Sequence, residues 1–318
     1  MAERLVGSNY ITPDIVAKVT GRARYAEDFR ADGMLFCKLM CSERPHARVI
    51  SKDLSRALAL PGVRAILTAE DVPQLGGTAE HCLTNEPLYA GEPILAVAAV
   101  SEEIAADAIE LIRLDLEPLP HTTDPLESLR PGSPNARTEG NVWAPPAPPA
   151  PGQPPRASVT ALKWTEAEFA EAAEGRMPMG KPMEEWQFGD LDAEFKNADL
   201  VLDETFVVQS TGHHPLETRS AMAYWQNGKL HLHCSTQSVV RTVDAVARWV
   251  GIEPKNLVLI SEYTGGGFGS KGGGAVSMAI PALLSKKANA PVMMRISREE
   301  ESYIGRARTN MTGRAKVG

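Results

Sequence analysis

The chain has 318 residues, a formal net charge of −7 at pH 7, 43% hydrophobic residues and 23% charged residues. This length allows two or three domains, and the composition is typical of a folded globular protein rather than a disordered, collagen-like or disulfide-rich chain. The longest apolar runs, Ile94–Val100 and Ala279–Leu284, are much shorter than the ~20 residues that cross a bilayer. The acidic charge and the lack of a dense Lys/Arg cluster argue against a nucleic-acid-binding protein.

The cysteines show no metal or disulfide pattern. The sequence has four, Cys37, Cys41, Cys82 and Cys234, and none forms a CxxC pair or stands at zinc-finger spacing. The N-terminal segment also lacks the apolar core of a secretory signal. We therefore expect reduced thiols in a reducing compartment and a cytoplasmic protein.

The first 127 residues have the pattern of a mixed α/β unit. Apolar runs between turn residues predict these strands: Gly33–Cys41, Val63–Leu67, Pro93–Val100 and Leu114–Leu119. A short helix is predicted over Leu54–Leu60. A longer helix begins after Ser101, where apolar residues recur at helical spacing behind two acidic residues. The strand, helix, strand order over 93–119 predicts a right-handed crossover.

A change of composition predicts a domain boundary after this unit. Between Pro145 and Pro155, seven of eleven residues are proline, which favours an extended polyproline II segment. We interpret residues 128–185 as a connector. It carries one predicted helix, Thr165–Glu174, because Thr165 and Glu168 form a capping box.

Residues 186–318 again alternate strands and helices. Asn227-Gly228 between two apolar runs predicts a β-hairpin, and Gly251 is placed to end a helix that begins at Ser238. The remaining predicted elements are strands Ala198–Val208, Asn256–Glu262 and Val292–Ile296 and the helix Ala275–Lys287.

A glycine-rich loop is the most informative segment. Seven of the eleven residues of Thr264–Gly274 are glycine, between a predicted strand and a predicted helix. Glycine lets backbone N–H groups approach a ligand closely, and a helix N-terminus favours an anion, so a phosphate, pterin or oxo ligand is plausible there. The alternative is a tight strand-to-helix turn with no ligand. The loop fails the P-loop pattern, because Ser270 precedes Lys271.

Several ordered motifs carry a resemblance to a known family. They are Gly265–Lys271 (GGGFGSK), Ser235-Thr236-Gln237, Leu216-Glu217-Thr218, Lys18–Asp28, Arg44–Arg48 and Pro61–Ala65. In these residues the chain resembles the molybdenum-binding large subunit of the xanthine dehydrogenase/aldehyde oxidase family of molybdenum hydroxylases. The resemblance covers nearly the whole chain apart from the proline-rich connector.

The resemblance implies an α+β fold in three segments. An α/β-hammerhead domain (1–127) is followed by the connector (128–185) and by the first part of a mixed α/β molybdopterin-binding domain (186–318). It also implies a molybdenum–molybdopterin cofactor, with the cytosine dinucleotide as one candidate form of the pterin.

The resemblance also implies which residues contact the cofactor. Gln237 corresponds to a glutamine beside the apical oxo ligand, where a neutral amide can donate an N–H without adding charge. The loop residues that are implied to line the other side of the metal and to contact the pterin are Gly266, Gly267, Phe268, Gly269 and Ser270.

The implied reaction is hydroxylation of an aldehyde or an N-heteroaromatic compound, with water as the oxygen source. Electrons would pass to 2Fe–2S and FAD groups on partner subunits, because this sequence has neither a ferredoxin cysteine set nor a flavin fingerprint. Gly272 stands where some members bind a purine through a glutamate, which argues against xanthine as substrate.

Length is the main departure from the family. The family's catalytic glutamate lies in a half that would follow residue 318, so the sequence identifies no catalytic residue. We expect the remaining half of the molybdenum subunit to be a further partner, and this chain by itself to be incomplete and inactive.

Two other functions remain open from the residues. One is a non-catalytic binding or assembly module that keeps the fold without the chemistry. The other is an NAD-dependent dehydrogenase, since Gly267, Gly269 and Gly272 formally satisfy GxGxxG. However, the acid expected about 20 residues later in that motif is missing.

Two weaker patterns have simpler interpretations. The pairs His213-His214 and His231/His233 could supply metal ligands, but hydrogen-bonded histidines are the simpler interpretation. The mixed charges between Arg295 and Arg308, including Glu301, predict a solvated face or a surface that packs on the remaining half.

Overall fold

The computed structural model describes residues 6–73, 75, 80–134, 163–172 and 186–318. The predicted proline-rich segment 145–155 lies outside these residues. The described strands are β1 (Leu35–Cys41), β2 (Ala47–Asp53), β3 (Val63–Leu67), β4 (Pro93–Ala99), β5 (Arg113–Pro118), β6 (Leu202–Val208), β7 (Ser220–Gln226), β8 (Lys229–Cys234), β9 (Leu257–Ile260), β10 (Val292–Arg295) and β11 (Met311–Val317).

The helices lie mostly between these strands. They are α1 (Ile15–Val19), α2 (Ser55–Ala59), α3 (Glu102–Leu111), α4 (Pro125–Ser128), α5 (Glu166–Glu171), α6 (Leu191–Asn197), α7 (Val239–Val250), α8 (Val276–Ala288) and α9 (Glu300–Tyr303). Short 3₁₀ helices occur at Ala26–Asp28, Ala69–Asp71 and Pro254–Asn256. In the described part of the chain, no helix combines the length and the hydropathy needed to cross a membrane.

One seven-stranded mixed sheet forms the centre of the molecule, in the order β3-β4-β1-β10-β7-β8-β9. Strand β10 pairs in parallel with β1, opposing Val292 to Leu35, and antiparallel with β7, opposing Val292 to Ala223. Segments from both sides of the connector therefore share one sheet. The segment limits 1–127, 128–185 and 186–318 stay a prediction.

The predicted crossover after β4 is wrong. Strand β5 does not return to the sheet that contains β4, but pairs antiparallel with β2 in a separate two-stranded sheet. The burial patterns give the physical reason. All seven residues of β4 are buried, as in a central strand, whereas β5 alternates between exposed and half-buried positions and can be covered on one face only.

Local signals in the sequence set most element ends. Asn227 and Gly228 both have positive φ, 51° and 74°, as a two-residue hairpin turn requires. The Ser238 side chain caps α7, and Gly251 ends it in the left-handed conformation. Thr165 and Glu168 form the predicted capping box, although α5 ends at Glu171. Of the predicted strand Ala198–Val208, only β6 forms.

Helix α8 anchors the glycine-rich loop to the core. Ten consecutive residues, Val276–Ser285, are buried, and the helix packs against β7, β10, β3 and α7. A helix that is apolar all round belongs in the interior. Since the loop leads from β9 into α8, the C-terminal end of the loop is fixed to the most buried of the described helices.

The hairpin turn offers a direct test of the fold. A Cβ at Gly228 would meet no atom within 4 Å, so the cost of Gly228→Ala is conformational and comes from φ of +74°. We expect a loss of about 1 kcal/mol, measured as a lower thermal midpoint. Gly132→Ala is the matched control, because Gly132 has open space around it and no positive φ. Equal midpoints for the two variants would contradict the turn assignment.

Candidate cofactor-binding site

The glycine-rich loop is held at its first residues by hydrogen bonds to backbone carbonyls. Thr264 donates from Oγ1 to the carbonyl of Thr236 at 3.0 Å, and the Glu217 N–H donates to the carbonyl of Gly265 at 3.2 Å. A Cβ on Gly265 would lie 2.5 Å from the Cβ of Glu217. Glycine is therefore required at this position for the close approach of two chain segments.

Gln237 lies directly against the loop. Its side-chain Oε1 accepts hydrogen bonds from the backbone N–H groups of Gly269, at 3.0 Å, and Lys271, at 3.3 Å. Its own backbone N–H donates to the carbonyl of Lys271 at 2.8 Å. A Cβ on Gly267 would lie 2.3 Å from Oε1, so only glycine fits beneath the amide. No described residue accepts a hydrogen bond from the Gln237 Nε2, which leaves that donor available.

A buried ion pair lies beneath the loop. The Lys271 Nζ donates to the Glu217 carbonyl at 2.8 Å and to the Ser235 Oγ at 2.7 Å, and it lies 3.0 Å from the Glu217 Oε2. That carboxylate oxygen also accepts from the Gly265 N–H at 2.7 Å and from the Ser235 hydroxyl at 2.6 Å. Burial lowers the pKa of Lys271, and the Glu217 carboxylate opposes this shift.

A second buried ion pair supports the same loop. Arg219, only 2% exposed, pairs with Glu301 and donates to the carbonyls of Ser270, at 2.7 Å, and Ile304, at 3.1 Å. A Cβ on Gly305 would lie 2.3 Å from the Arg219 Cζ. The expectation of a solvated face is therefore wrong for Glu301, whose carboxylate is withdrawn into the core to neutralise Arg219.

The tip of the loop faces outward. Phe268 has a φ of 51° and an exposed ring, and its carbonyl accepts from the Arg308 Nη2 at 3.3 Å. The His213 ring lies close to the loop tip, with its Nε2 3.6 Å from the position that a Cβ on Gly269 would take. Ser270 is buried, and its Oγ has no hydrogen-bond partner within the described ranges.

The structure thus brings the predicted cofactor residues together. Gln237 contacts Gly267 and Gly269, and a Cβ on Gly266 would lie 3.2 Å from the ring of Phe268. Arg219 and both buried ion pairs were not predicted from the sequence. Glu217, Ser235 and Lys271 each stood in a quoted motif, but nothing local in the sequence signals that they meet.

The strand histidines take part in ring contacts. His231 stacks on Tyr224 at 4.9 Å between ring centroids, and His233 lies 4.2 Å from the ring of Phe29. Burial lowers the pKa of His233. In the described part of the chain, no three potential ligands cluster as a metal site would require.

Two family models match the chain. Residues 20–120 match the a/b hammerhead domain of aldehyde oxidase and xanthine dehydrogenase, and residues 175–318 match the molybdopterin cofactor-binding domain. Together they match more than three quarters of the chain.

Individual relatives agree with these models. The chain is 27% identical to the nicotinate dehydrogenase large molybdopterin subunit of Eubacterium barkeri, over 99% of this chain and 67% of that protein. It is 31% identical to the carbon monoxide dehydrogenase large chain of Afipia carboxidovorans, over 86% of this chain and 32% of that protein. The solved aldehyde oxidoreductase from Desulfovibrio gigas superposes with a TM-score of 0.74 at 25% identity, over 98% of this chain and 32% of that chain.

The chain belongs to the xanthine dehydrogenase/aldehyde oxidase family of molybdenum hydroxylases and is related to its large, molybdopterin-binding subunit. The predicted α+β fold with a hammerhead domain is confirmed. The chain spans about a third of the length of the carbon monoxide dehydrogenase large chain and of the Desulfovibrio gigas structure.

The loop residues fit a molybdopterin group. The Gln237 Nε2 and the Ser270 Oγ are two polar atoms without partners among the described residues, and both belong to the same loop assembly. The glycines on either side of Phe268 add no side chain of their own, which favours close approach of a polar cofactor to the loop backbone.

We predict that the Glu217–Lys271 pair is a main contributor to stability. Lys271→Met leaves the Glu217 carboxylate buried without its cation, and breaking such a pair costs about 3–5 kcal/mol. The thermal midpoint should fall steeply and recover in part in Lys271→Met with Glu217→Gln. Lys255→Met, which removes the exposed pair with Glu253, should have little effect. Equal losses for Lys271→Met and Lys255→Met would contradict the prediction.

Proposed function

We propose that this chain is the cofactor-holding first part of the large subunit of a molybdenum hydroxylase. The observation that carries the proposal is the contact between Gln237 and the loop. The amide Oε1 accepts hydrogen bonds from the backbone N–H groups of Gly269 and Lys271, while Nε2 stays available as a donor. The bound molybdenum–pterin group would supply the oxygen-transfer and electron-accepting chemistry.

The residues of this chain would position that chemistry. Because Oε1 is fixed by two backbone donors, the Gln237 amide presents its N–H in one orientation, suited to an oxo group and adding no charge. Gly266, Gly267, Phe268, Gly269 and Ser270 would contact the cofactor through their backbone and the Ser270 hydroxyl. The buried pairs beneath the loop would keep this surface from shifting.

The proposed reaction is hydroxylation of an aldehyde or N-heteroaromatic compound, with water as the oxygen source. The names of relatives support this range, since they include a nicotinate dehydrogenase and a nicotine 6-hydroxylase. The cytosine dinucleotide form of the pterin stays a proposal on family grounds. The cytoplasmic location also stays a prediction.

The electrons would leave through 2Fe–2S and FAD groups on partner subunits. Two relatives are named as a large subunit or large chain, which supports a multi-subunit enzyme. Burial raises the pKa of Cys41 and of Cys234 to about 12, which disfavours the thiolates that an iron–sulfur cluster requires. The rest of the molybdenum subunit would complete the site.

The nicotinamide alternative is disfavoured by packing. The second glycine of GxGxxG is where the backbone would approach a pyrophosphate, and here the Gly269 N–H already donates to the Gln237 Oε1 at 3.0 Å.

The first test removes the space that Gln237 occupies. Gly267→Ala places a methyl group against the Gln237 amide, so we expect the assembled enzyme to lose most of its molybdenum, measured by elemental analysis per subunit. Gly273→Ala is the matched control in the same loop, because a Cβ there meets nothing within 4 Å. Retention of metal in Gly267→Ala, or equal loss in the control, would count against the proposed site.

The second test separates the two ends of the Gln237 amide. Gln237→Glu keeps an acceptor for the Gly269 N–H but removes the N–H donor, and Gln237→Ala removes both. We expect turnover to fall at least about tenfold in both variants, which corresponds to about 1.4 kcal/mol in the activation free energy. The upper limit is about 2.7–4 kcal/mol, the cost of losing one donor to a developing charge. The thermal midpoint should change little. Normal turnover in both variants would exclude the assigned role.

A further inference from the structure

Three consecutive residues, Ser235, Thr236 and Gln237, each contact a different atom of Lys271. The Ser235 Oγ accepts from the Lys271 Nζ at 2.7 Å, and the Gln237 Oε1 accepts from the Lys271 N–H at 3.3 Å. The Thr236 Oγ1 donates to the Lys271 carbonyl at 3.1 Å, and the same oxygen accepts from the Gln237 N–H at 2.8 Å. Ser235 belongs to the buried ion pair and Gln237 to the proposed cofactor contact, whereas the proposed function gives Thr236 no role.

The Thr236 hydroxyl lies in the interior beside a second buried hydroxyl. Thr236 is 6% exposed, and Thr242, on α7, is fully buried. The Thr236 Oγ1 accepts from the Ser238 N–H at 3.1 Å and lies 2.7 Å from the Thr242 Oγ1. When Thr242 is the donor in this contact, both lone pairs of Thr236 are used and its one proton is directed to the Lys271 carbonyl.

The Ser238 carbonyl competes poorly for the Thr236 proton. It lies 3.3 Å from the Thr236 Oγ1, farther than the Lys271 carbonyl, and it already accepts the Thr242 N–H at 3.1 Å. The Thr242 Oγ1 also lies 2.8 Å from this carbonyl. The donor order from Thr242 to Thr236 to Lys271 therefore leaves both buried hydroxyls and both carbonyls with a partner.

Thr236 is bonded to the glycine-rich loop at two points. Its carbonyl accepts from the Thr264 Oγ1 at 3.0 Å, where the loop begins, and its hydroxyl holds Lys271, seven residues later. Gln237 meets Lys271 at both the N–H and the carbonyl, so a shift of the Lys271 backbone would carry the Gln237 side chain with it. The distance between Gln237 and the loop thus depends on a bond that Thr236 makes.

We propose that Thr236 is a positioning residue for Gln237. Its hydroxyl, directed by Thr242, holds the Lys271 carbonyl and so fixes the Gln237 amide against the loop. Groups that take part in a reaction must be held within about 0.5 Å of the productive geometry, and hydrogen-bonded residues behind them provide this. The inference rests on the cofactor contact proposed for Gln237.

The test compares two substitutions at Thr236 in the assembled enzyme at equal molybdenum content. Thr236→Val keeps the shape of the side chain and removes the hydroxyl, whereas Thr236→Ser keeps the hydroxyl. Amide hydrogen exchange of the loop peptide is followed by mass spectrometry, and kcat and KM are measured separately. Thr84→Val is the matched control, because the Thr84 Oγ1 accepts from the Glu86 N–H at 3.0 Å in a segment outside the loop.

The amides of Gly269 and Lys271 report on the contact directly, because both donate to the Gln237 Oε1. In Thr236→Val we expect these amides to exchange at least about tenfold faster, since the local opening that exposes them becomes easier. Thr84→Val should leave their exchange unchanged. If Thr236→Val does not assemble, Thr242→Val is the second variant, which removes the donor to Thr236 and should speed exchange of the same two amides.

The kinetic result should follow Gln237. We expect kcat to fall at least about threefold in Thr236→Val with KM unchanged, because Gln237 acts on the cofactor and not on the substrate. Thr236→Ser should restore kcat to within about twofold of the wild type. In Gln237→Ala, adding Thr236→Val should lower kcat by less than about twofold, since the residue that Thr236 positions is already gone.

Three results would overturn the inference. Exchange and kcat in Thr236→Val match those in Thr84→Val, Thr236→Ser loses as much kcat as Thr236→Val, or the losses from Thr236→Val and Gln237→Ala add in full. Normal turnover in Gln237→Ala would instead contradict the proposed function, and the exchange of the two amides would still test the contact between Thr236 and Lys271.

Discussion

The buried contact between Lys271 and Glu217 is the constraint on which the site depends. It ties the end of the glycine-rich loop to the segment before β7 and, through the Ser235 hydroxyl, to the end of β8. Removing an ammonium and a carboxylate from water is costly. Here the attraction of the two charges and the hydrogen bonds to the Lys271 Nζ and the Glu217 Oε2 offset that cost, while the Glu217 Oε1 has no partner in the described part of the chain. The pair therefore fixes three segments at once, and Gln237, two residues after Ser235, is carried into place against the loop.

Arg219 and Glu301 repeat this arrangement on the other side of the loop. The guanidinium holds the Ser270 carbonyl, while the carboxylate comes from a short helix more than 80 positions away in sequence. Two ion pairs that converge on consecutive residues, Ser270 and Lys271, leave the loop little freedom where it turns toward α8. A glycine-rich segment, flexible by composition, is thus held in one conformation by charges beneath it.

Much of the fold could be predicted because its signals are local. The Asn227-Gly228 turn, the Ser238 cap and the glycine after α7 each act within a few residues, and the resemblance placed Gln237 next to the loop. Strand pairing was harder to predict from the sequence. Strand β5 follows α3 but does not join the large sheet, because its alternation of exposed and half-buried residues suits a sheet covered on one face, and it pairs with β2. The ion pairs could not be predicted, because Arg219 and Glu301 are ordinary charged residues until the sheet brings them together.

Phe268 holds a left-handed backbone conformation, which costs an L-residue with a bulky side chain roughly 1–2 kcal/mol. Its ring is exposed, so packing within the described chain does not repay that cost. A glycine there would relieve the strain and add stability while removing the ring from the loop tip. Selection for stability alone would thus drive this position toward glycine, so the phenylalanine marks a place where the chain trades stability for the surface it presents.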